Sequence, residues 1–127
     1  MADKLHFNLV SPERQLMSED VDHVVVPGAE GYFGVMAGHA PIMSTVLPGL
    51  LTVIDGGAER KIFVAGGFAE VTPDGLTVLA EEATPAEELT GDALAERIQT
   101  AEKALADAAN DDERHAQTQA LAQLRTL

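Results

Sequence analysis

The sequence predicts a mixed fold, with an N-terminal small antiparallel β-sandwich or barrel followed by a C-terminal antiparallel hairpin of two helices. Turn residues separate short apolar runs over roughly the first 80 residues, which is typical of small all-β folds. Near Thr84-Pro85 the composition changes, and alanine and acidic residues replace the β-branched ones. Apolar residues then recur with helical spacing. We therefore expect a sandwich domain over residues 1–85 and a helical hairpin domain over residues 86–127.

The strands are predicted from alternating apolar residues and from the turns that end them. Leu5, Phe7 and Leu9 alternate with polar residues, and the valine-rich run at 24–26 stops at Pro27-Gly28. Aspartate followed by glycine favours a tight hairpin, because both residues tolerate the positive φ that such turns require. The remaining predicted strands are residues 50–54, ended by 55–57; residues 61–65, ended by Gly66-Gly67; residues 68–72, ended by 73–75; and residues 76–80.

Two short helices are predicted beyond the change in composition. Asn110 and Glu113, three residues apart, fit a capping box that opens the second helix. The apolar stripes contain small residues, so the hairpin buries little by itself and we expect it to pack on another surface. The first stripe consists of Leu94, Ile98, Ala101, Leu105 and Ala108, and the second of Ala116, Ala120, Leu124 and Leu127, with Leu121 beside it.

Charge and composition exclude several classes of partner and site. The chain has 127 residues, with 8 Lys and Arg against 21 Asp and Glu, which gives a formal net charge of −13. Such a surface repels nucleic acid and anionic lipid and favours basic partner segments. The lack of cysteine excludes disulfides and thiolate zinc sites. The longest apolar-leaning run, residues 42–54, is shorter than the about 20 residues of a membrane helix, so we expect no direct membrane insertion.

The glycine-rich segment 27–41, PGAEGYFGVMAGHAP, is interpreted as a shaped docking loop. A phosphate cradle needs amides at a helix N-terminus and a nearby cation, whereas no Lys or Arg lies between positions 14 and 60. A docking loop needs bends and apolar side chains, because a preorganised surface lowers the entropy cost of association. The plainer interpretation is a strand edge, and both hold if Phe33 and Val35 point inward while Tyr32 and Met36 point outward.

Catalysis and metal binding are the chemical alternatives. His39 is a candidate base, but nucleophilic catalysis also needs a nucleophile held by that base and an acid that orients it. Ser44 and Asp55 are present, yet no nucleophile motif surrounds them. The four histidines are scattered without the spacing of metal ligands. We therefore predict no catalytic, cofactor-binding or metal-binding residue.

Three segments resemble one known family, the epsilon subunit of F-type ATP synthases. The two main signatures of that family are similar to VVVPGAEGYFGVMAGHAPIMSTVLPGLLTV at 24–53 and to FVAGGFAEVTPDGLTVLAEEA at 63–83. Its first hairpin is similar to LHFNLVSPERQLMSEDV at 5–21. The segments occur in the family's order, and the resemblance covers the whole chain.

The resemblance implies a non-catalytic rotor subunit in the central stalk of a bacterial proton-translocating ATP synthase. Family members bind the gamma subunit, rest on the polar loops of the membrane c-ring, and help couple proton flow to ATP synthesis in the catalytic head. The implied location is the cytoplasmic face of the bacterial inner membrane, where the chain would be a peripheral part of the complex.

The resemblance also implies which residues make these contacts. Relatives commonly carry an acid at the position of Tyr32, so the ring contact of this residue is expected to be apolar or hydrogen-bonded rather than ionic. They also carry Pro-Gly-His where this chain has Ala37-Gly38-His39, so that bend is expected to be less stiff. The positions that match the ring-facing loop are Glu30, Gly31 and Tyr32, and those that match the gamma-facing segments are Ser11, His39, Ile42, Met43 and Thr45.

The resemblance implies two further roles for the helical hairpin. In many bacterial relatives it extends into the catalytic head and blocks hydrolysis, and in some it binds ATP through an Asp and an Arg three residues apart. Here Asp92 and Arg97 are five apart, which turns them away from each other on a helix. In those relatives, basic residues of the hairpin meet an acidic segment of the catalytic subunit. From Ala86 onward this chain has nine acids and four bases, so its net negative charge does not attract such a segment. We expect no bound nucleotide and weak or absent inhibition; the alternative function is a nucleotide-sensing inhibitory module.

Overall fold

The computed structural model describes residues 4–13, 15–29 and 31–127, and in these residues eight strands precede a short 3₁₀ turn and two helices. The predicted order of sandwich and helical hairpin is confirmed. The division into two domains after residue 85 remains a prediction. The elements are β1 (Leu5–Val10), β2 (Gln15–Val21), β3 (His23–Gly28), β4 (Gly31–Val35), β5 (Ile42–Thr45), β6 (Gly49–Asp55), β7 (Ala58–Thr72), β8 (Gly75–Pro85), α1 (Gly91–Ala106) and α2 (Asp111–Leu124).

The long strands β7 and β8 join the two layers of the sandwich. Hydrogen-bonded neighbours run in the order β2-β1-β8-β7-β6-β3-β4, and β5 pairs with β7 outside this path. β6 pairs with residues 58–64 of β7, whereas β5 pairs with residues 68–71 of the same strand. β1 runs parallel to β8. β7 therefore contributes its first part to one layer and its last part to the other.

The core between the layers is formed by every second residue of these strands. Phe7, Leu51 and Leu76 are completely inaccessible to solvent. Burying an aliphatic or phenyl side chain of this size contributes about 1.5–3 kcal/mol. In the described part of the chain, no buried residue is polar or charged. The alternating residues from which β1 was predicted, Leu5, Phe7 and Leu9, are therefore the ones that its strand buries in the core.

The predicted hairpin turns are present, with one exception. β6 ends at Asp55 and β7 begins at Ala58, as the Asp-Gly-Gly sequence predicts. The prediction that a strand ends at Gly66-Gly67 is wrong, because β7 continues through both glycines. Their φ values of 73° and 106° bend the strand without ending it. A Cβ on Gly67 would lie only 1.7 Å from the carbonyl oxygen of Leu79, so the bend lets β7 and β8 pass closely.

The capping box of the second helix is confirmed with one difference. The Asn110 side chain accepts a hydrogen bond from the Glu113 N–H at 2.9 Å. The Glu113 carboxylate accepts from the N–H of Ala109 at 2.8 Å, rather than from that of Asn110. The first turn of α2 also carries Asp111 and Asp112, whose negative charge is favourable at a helix N-terminus.

The helical hairpin packs on the outer face of β6 and β7, which confirms the expectation that it needs another surface. Leu50 and Phe63 of these strands form a cluster that is separate from the sandwich core. The small residues of both stripes allow the helices to approach each other and the sheet closely. The buried helix residues of this cluster are Ala101, Ala120, Leu121 and Leu124, and Leu94, Ile98 and Leu105 pack against them.

Candidate docking surface

The β3–β4 turn and strand β5 line one groove. Its walls come from residues 29 and 31–33 on one side and from residues 42–45 on the other, and its volume is about 400 Å³. Tyr32, Ile42 and Met43 are 41%, 45% and 64% exposed, which is unusual for residues of this size. Two of the residues predicted to face the ring, Gly31 and Tyr32, therefore line the same groove as three of those predicted to face the gamma subunit, namely Ile42, Met43 and Thr45. We call this surface the docking groove.

The sheet that contains β5 continues the apolar surface away from the groove. Thr45 lies opposite Phe68, and Phe68 lies opposite Leu79. Leu79 in turn lies opposite Val10 of β1, and Ser11 follows directly. Phe68 and Leu79 are 53% and 51% exposed. Since neighbouring strands are about 4.8 Å apart, this row of side chains spans about 14 Å across four strands.

His39 braces the loop that leads from β4 to β5. Its backbone N–H donates to the carbonyl of Met36 at 3.1 Å. Its ring Nδ1 lies 2.7 Å from the carbonyl oxygen of Ala40, so Nδ1 carries the proton and donates it. The ring thus fixes the bend just before Ile42, the first residue of the groove wall. Glu30, the acidic residue predicted to face the ring, lies outside the described residues.

Tyr32 connects the docking groove to helix α2. Its hydroxyl and the Gln123 Oε1 border the same space, because a Cβ on Gly49 would lie 2.7 Å from the first and 3.4 Å from the second. Burial raises the pKa of the Tyr32 hydroxyl, and the neighbouring Gln123 side chain and Leu50 N–H oppose part of that rise. The predicted orientations of the segment are confirmed, since Val35 is buried, Phe33 is half-buried, and Tyr32 and Met36 are exposed.

Phe68 and Leu79 were not predicted from the sequence as site residues. A signal was present, because Ala69 and Val71 point into the core and their neighbours on β7 must point outward. On a half-buried strand the outward positions are normally polar, as Glu70 is. A phenylalanine at such a position is the exception, and exposed apolar patches mark interaction sites.

Comparison with known proteins places the chain in a family. A family model described as "ATP synthase, Delta/Epsilon chain, beta-sandwich domain" matches residues 4–86. An ATP synthase epsilon chain from Parvibaculum lavamentivorans is 56% identical over 128 residues, with 100% of this chain and 97% of that relative covered. The chain belongs to the ATP synthase epsilon family. A second such relative, from Rhodospirillum rubrum, is 50% identical over 123 residues, which cover 96% of this chain and 92% of that relative.

Solved structures agree with this assignment. A chain of the Euglena gracilis mitochondrial ATP synthase, in a structure of OSCP, F1 and c-ring in rotational state 1, has a TM-score of 0.72 and 26% identity, covering 98% of this chain and 79% of that chain. A chain of the Tetrahymena thermophila mitochondrial ATP synthase central stalk and c-ring shares the fold, with a TM-score of 0.60 at 14% identity over 72% of this chain and 73% of that one. As an epsilon chain, the protein is a non-catalytic subunit of the ATP synthase stalk.

In this epsilon chain, Arg97 of α1 is held by the sandwich. Its Nε donates to the Glu82 Oε2 at 2.8 Å, and its Nη2 lies 2.8 Å from the same oxygen. The guanidinium carbon stands 4.6 Å from the centre of the Phe63 ring. Only 16% of the Arg97 side chain is exposed. Arg97 therefore holds α1 against β7 and β8, and its positive charge is paired with the Glu82 carboxylate.

Within residues 4–13, 15–29 and 31–127, no group of three His, Asp or Glu side chains is arranged to hold a metal ion. In the same ranges, neither helix is long and apolar enough to cross a membrane.

Proposed function

We propose that the chain joins the gamma subunit to the membrane c-ring in the central stalk of a bacterial proton-translocating ATP synthase, and so helps couple proton flow to ATP synthesis. The observation that carries the proposal is the continuous apolar surface made by the docking groove and the row across the adjoining sheet. The related Euglena chain belongs to an assembly that contains F1 and the c-ring, which supports the same kind of partner here. The proposed location is the cytoplasmic face of the inner membrane.

The two partners are assigned to neighbouring parts of this surface. We assign the β3–β4 turn to the ring, with Gly31 and Tyr32 and, by sequence position, Glu30. A rim-exposed carboxylate contributes only about 0–1 kcal/mol when paired, so Glu30 would steer docking more than hold it. We assign the wider apolar face to the gamma subunit, with Ser11, His39, Ile42, Met43 and Thr45 from the family resemblance and Phe68 and Leu79 from the structure.

The test is to place a charge in the apolar face. Phe68→Glu would bury a carboxylate against the partner, and the affinity of the chain for an ATP synthase depleted of its epsilon chain should fall at least about 30-fold, the loss typical of a hot-spot residue. ATP-driven proton pumping by the reconstituted complex should fall with it. Leu127→Glu is the matched control, because Leu127 is also exposed (38%) but belongs neither to the docking groove nor to the row across the sheet. Normal binding by Phe68→Glu would refute the proposal.

The alternative function, a nucleotide-sensing inhibitory module, receives no support from the site. Arg97 would have to leave Glu82 and the Phe63 ring before it could hold a phosphate. Calorimetric titration of the intact chain with Mg-ATP should show no binding at millimolar concentration. Binding in that range would favour the alternative.

A further inference from the structure

One side chain is shared by the docking groove and the helical hairpin. The ring of Tyr32 lines the groove beside Ile42 and Met43. Its hydroxyl lies over Gly49, where the side chain of Gln123, near the end of α2, also reaches. Because the residue is 41% exposed, a partner can cover the aromatic ring while the hydroxyl stays beside Gln123.

Gln123 links Tyr32 to the edge of the sandwich. Its Oε1 accepts the backbone N–H of Leu50 at 2.7 Å. Leu50 is only 6% exposed, and a buried N–H needs a hydrogen-bond partner. The Tyr32 hydroxyl borders the same space over Gly49 as the Gln123 Oε1. The three groups therefore form one polar cluster contributed by β4, β6 and α2.

Gly49 provides the space in which the cluster forms. A Cβ at this position would lie 2.7 Å from the Tyr32 hydroxyl and 3.4 Å from the Gln123 Oε1. It would also stand 3.2 Å from the Cβ of Pro27. A larger residue would displace the hydroxyl, so the sandwich itself is shaped to receive the tyrosine and the helix end together.

We propose that docking of the helical hairpin on the sandwich and docking of the c-ring against the Tyr32 wall of the groove stabilise each other through Tyr32. This inference rests on the proposed function, which assigns Tyr32 to the c-ring. With the hairpin in place, Gln123 holds the tyrosine in one orientation, so the partner meets a preorganised aromatic wall. A partner that covers the ring fixes the hydroxyl against Gln123 and so retains α2. The two effects are equal in free energy, because binding linkage is reciprocal.

The test is a double-variant cycle in the full-length chain. Tyr32→Phe keeps the ring in the groove and removes the hydroxyl, and Gln123→Ala removes the helix side of the contact. The probe is the host ATP synthase depleted of its epsilon chain, and the affinity of each added chain is measured. Each single change should weaken binding about threefold to tenfold, the range expected for one polar contact. The affinity of the double variant should equal that of the single variant that binds less tightly, because both changes break the same contact.

Hydrogen exchange gives a second readout. Adding the depleted complex should slow amide exchange in α2 of the parent chain, and should slow it much less in the Tyr32→Phe chain. Losses of affinity that multiply in the double variant would overturn the proposal, since the two residues would then act independently. So would an α2 exchange rate in the parent that the complex leaves unchanged.

Two control variants separate this proposal from the proposed function. Gln119→Ala removes a glutamine one turn earlier on α2 and should bind like the parent; a loss equal to that of Gln123→Ala would refute a specific role for Gln123. Met43→Glu places a charge in the groove and should abolish binding. If Met43→Glu binds normally, the docking surface itself is wrong. If it fails to bind while Tyr32→Phe and Gln123→Ala bind normally, the surface stands and the coupling is wrong.

Discussion

Replacing Arg97 by alanine should release the helical hairpin from the sandwich while the sandwich stays folded. The Arg97 side chain holds α1 on the sandwich, because its guanidinium group contacts Glu82 and Phe63 of the strands. The sandwich core is a separate cluster of buried residues, so the loss should not spread to it.

The magnitude follows from the two contacts. A cation stacked over a ring at 4.6 Å, on a side chain that is only 16% exposed, contributes about 1–2 kcal/mol. Because the Glu82 side chain is 43% exposed, solvent screening limits the ion pair to about 0.5–1 kcal/mol. The two contacts together correspond to about 1.5–3 kcal/mol. Since about 1.4 kcal/mol is a factor of ten, the equilibrium between docked and released hairpin should shift about tenfold to a hundredfold.

Amide hydrogen exchange measures this shift region by region. In the Arg97→Ala chain, exchange in α1 and α2 should accelerate by that factor, while amides of β1 and β8 keep the parent rate. Arg114→Ala is the matched control, because Arg114 pairs with Asp111 inside α2 and is 56% exposed. Unchanged protection of α1 in Arg97→Ala, or equal acceleration in Arg114→Ala, would show that the contacts with Glu82 and Phe63 do not hold the hairpin.

Three further changes test other parts of the structure. Leu124→Ala empties a site that is 0% exposed beneath the hairpin and should destabilise hairpin docking by about 2–5 kcal/mol, measured by urea unfolding followed by far-UV circular dichroism. Gly67→Ala forces a Cβ against the Leu79 carbonyl at positive φ and should cost about 3 kcal/mol or more, seen as a lower Tm. Lys4 hydrogen-bonds Asp22 and lowers its pKa below 3.8, so this carboxylate stabilises the fold above that pH and the effect is lost as pH falls through the lower folded pKa. Asp22→Asn should therefore lower Tm near neutral pH and match the parent in strong acid; a Tm difference that persists in strong acid would contradict this.

The features that the sequence predicted correctly are local ones. A tight turn at 55–57 and a helix cap at Asn110 depend on residues within a few positions of each other, so the pattern alone contains the information. The inward and outward sides of β4 were also predictable, because alternation assigns them once one buried residue is known. The same reasoning, applied to β7, would have found the exposed Phe68.

The features that were missed depend on contacts between distant parts of the chain. Gly66-Gly67 reads as a strand end, and only the approach of the β8 backbone shows that it is a bend. The hydrogen bond from Leu50 to Gln123 joins residues 73 positions apart, and no periodicity encodes it. Within the candidate site, Ile42 and Met43 came from family resemblance, whereas the groove that they share with Tyr32 is a property of the fold.

Strand β7 has a mechanical consequence for a protein that works in a stalk. Phe63 supports the helices from its first part, and Phe68 faces the proposed gamma contact from its last part. Only the bend at Gly66-Gly67 separates them, with no flexible connection between. A torque applied at Phe68 would therefore be carried along the β7 backbone to the surface under the helices.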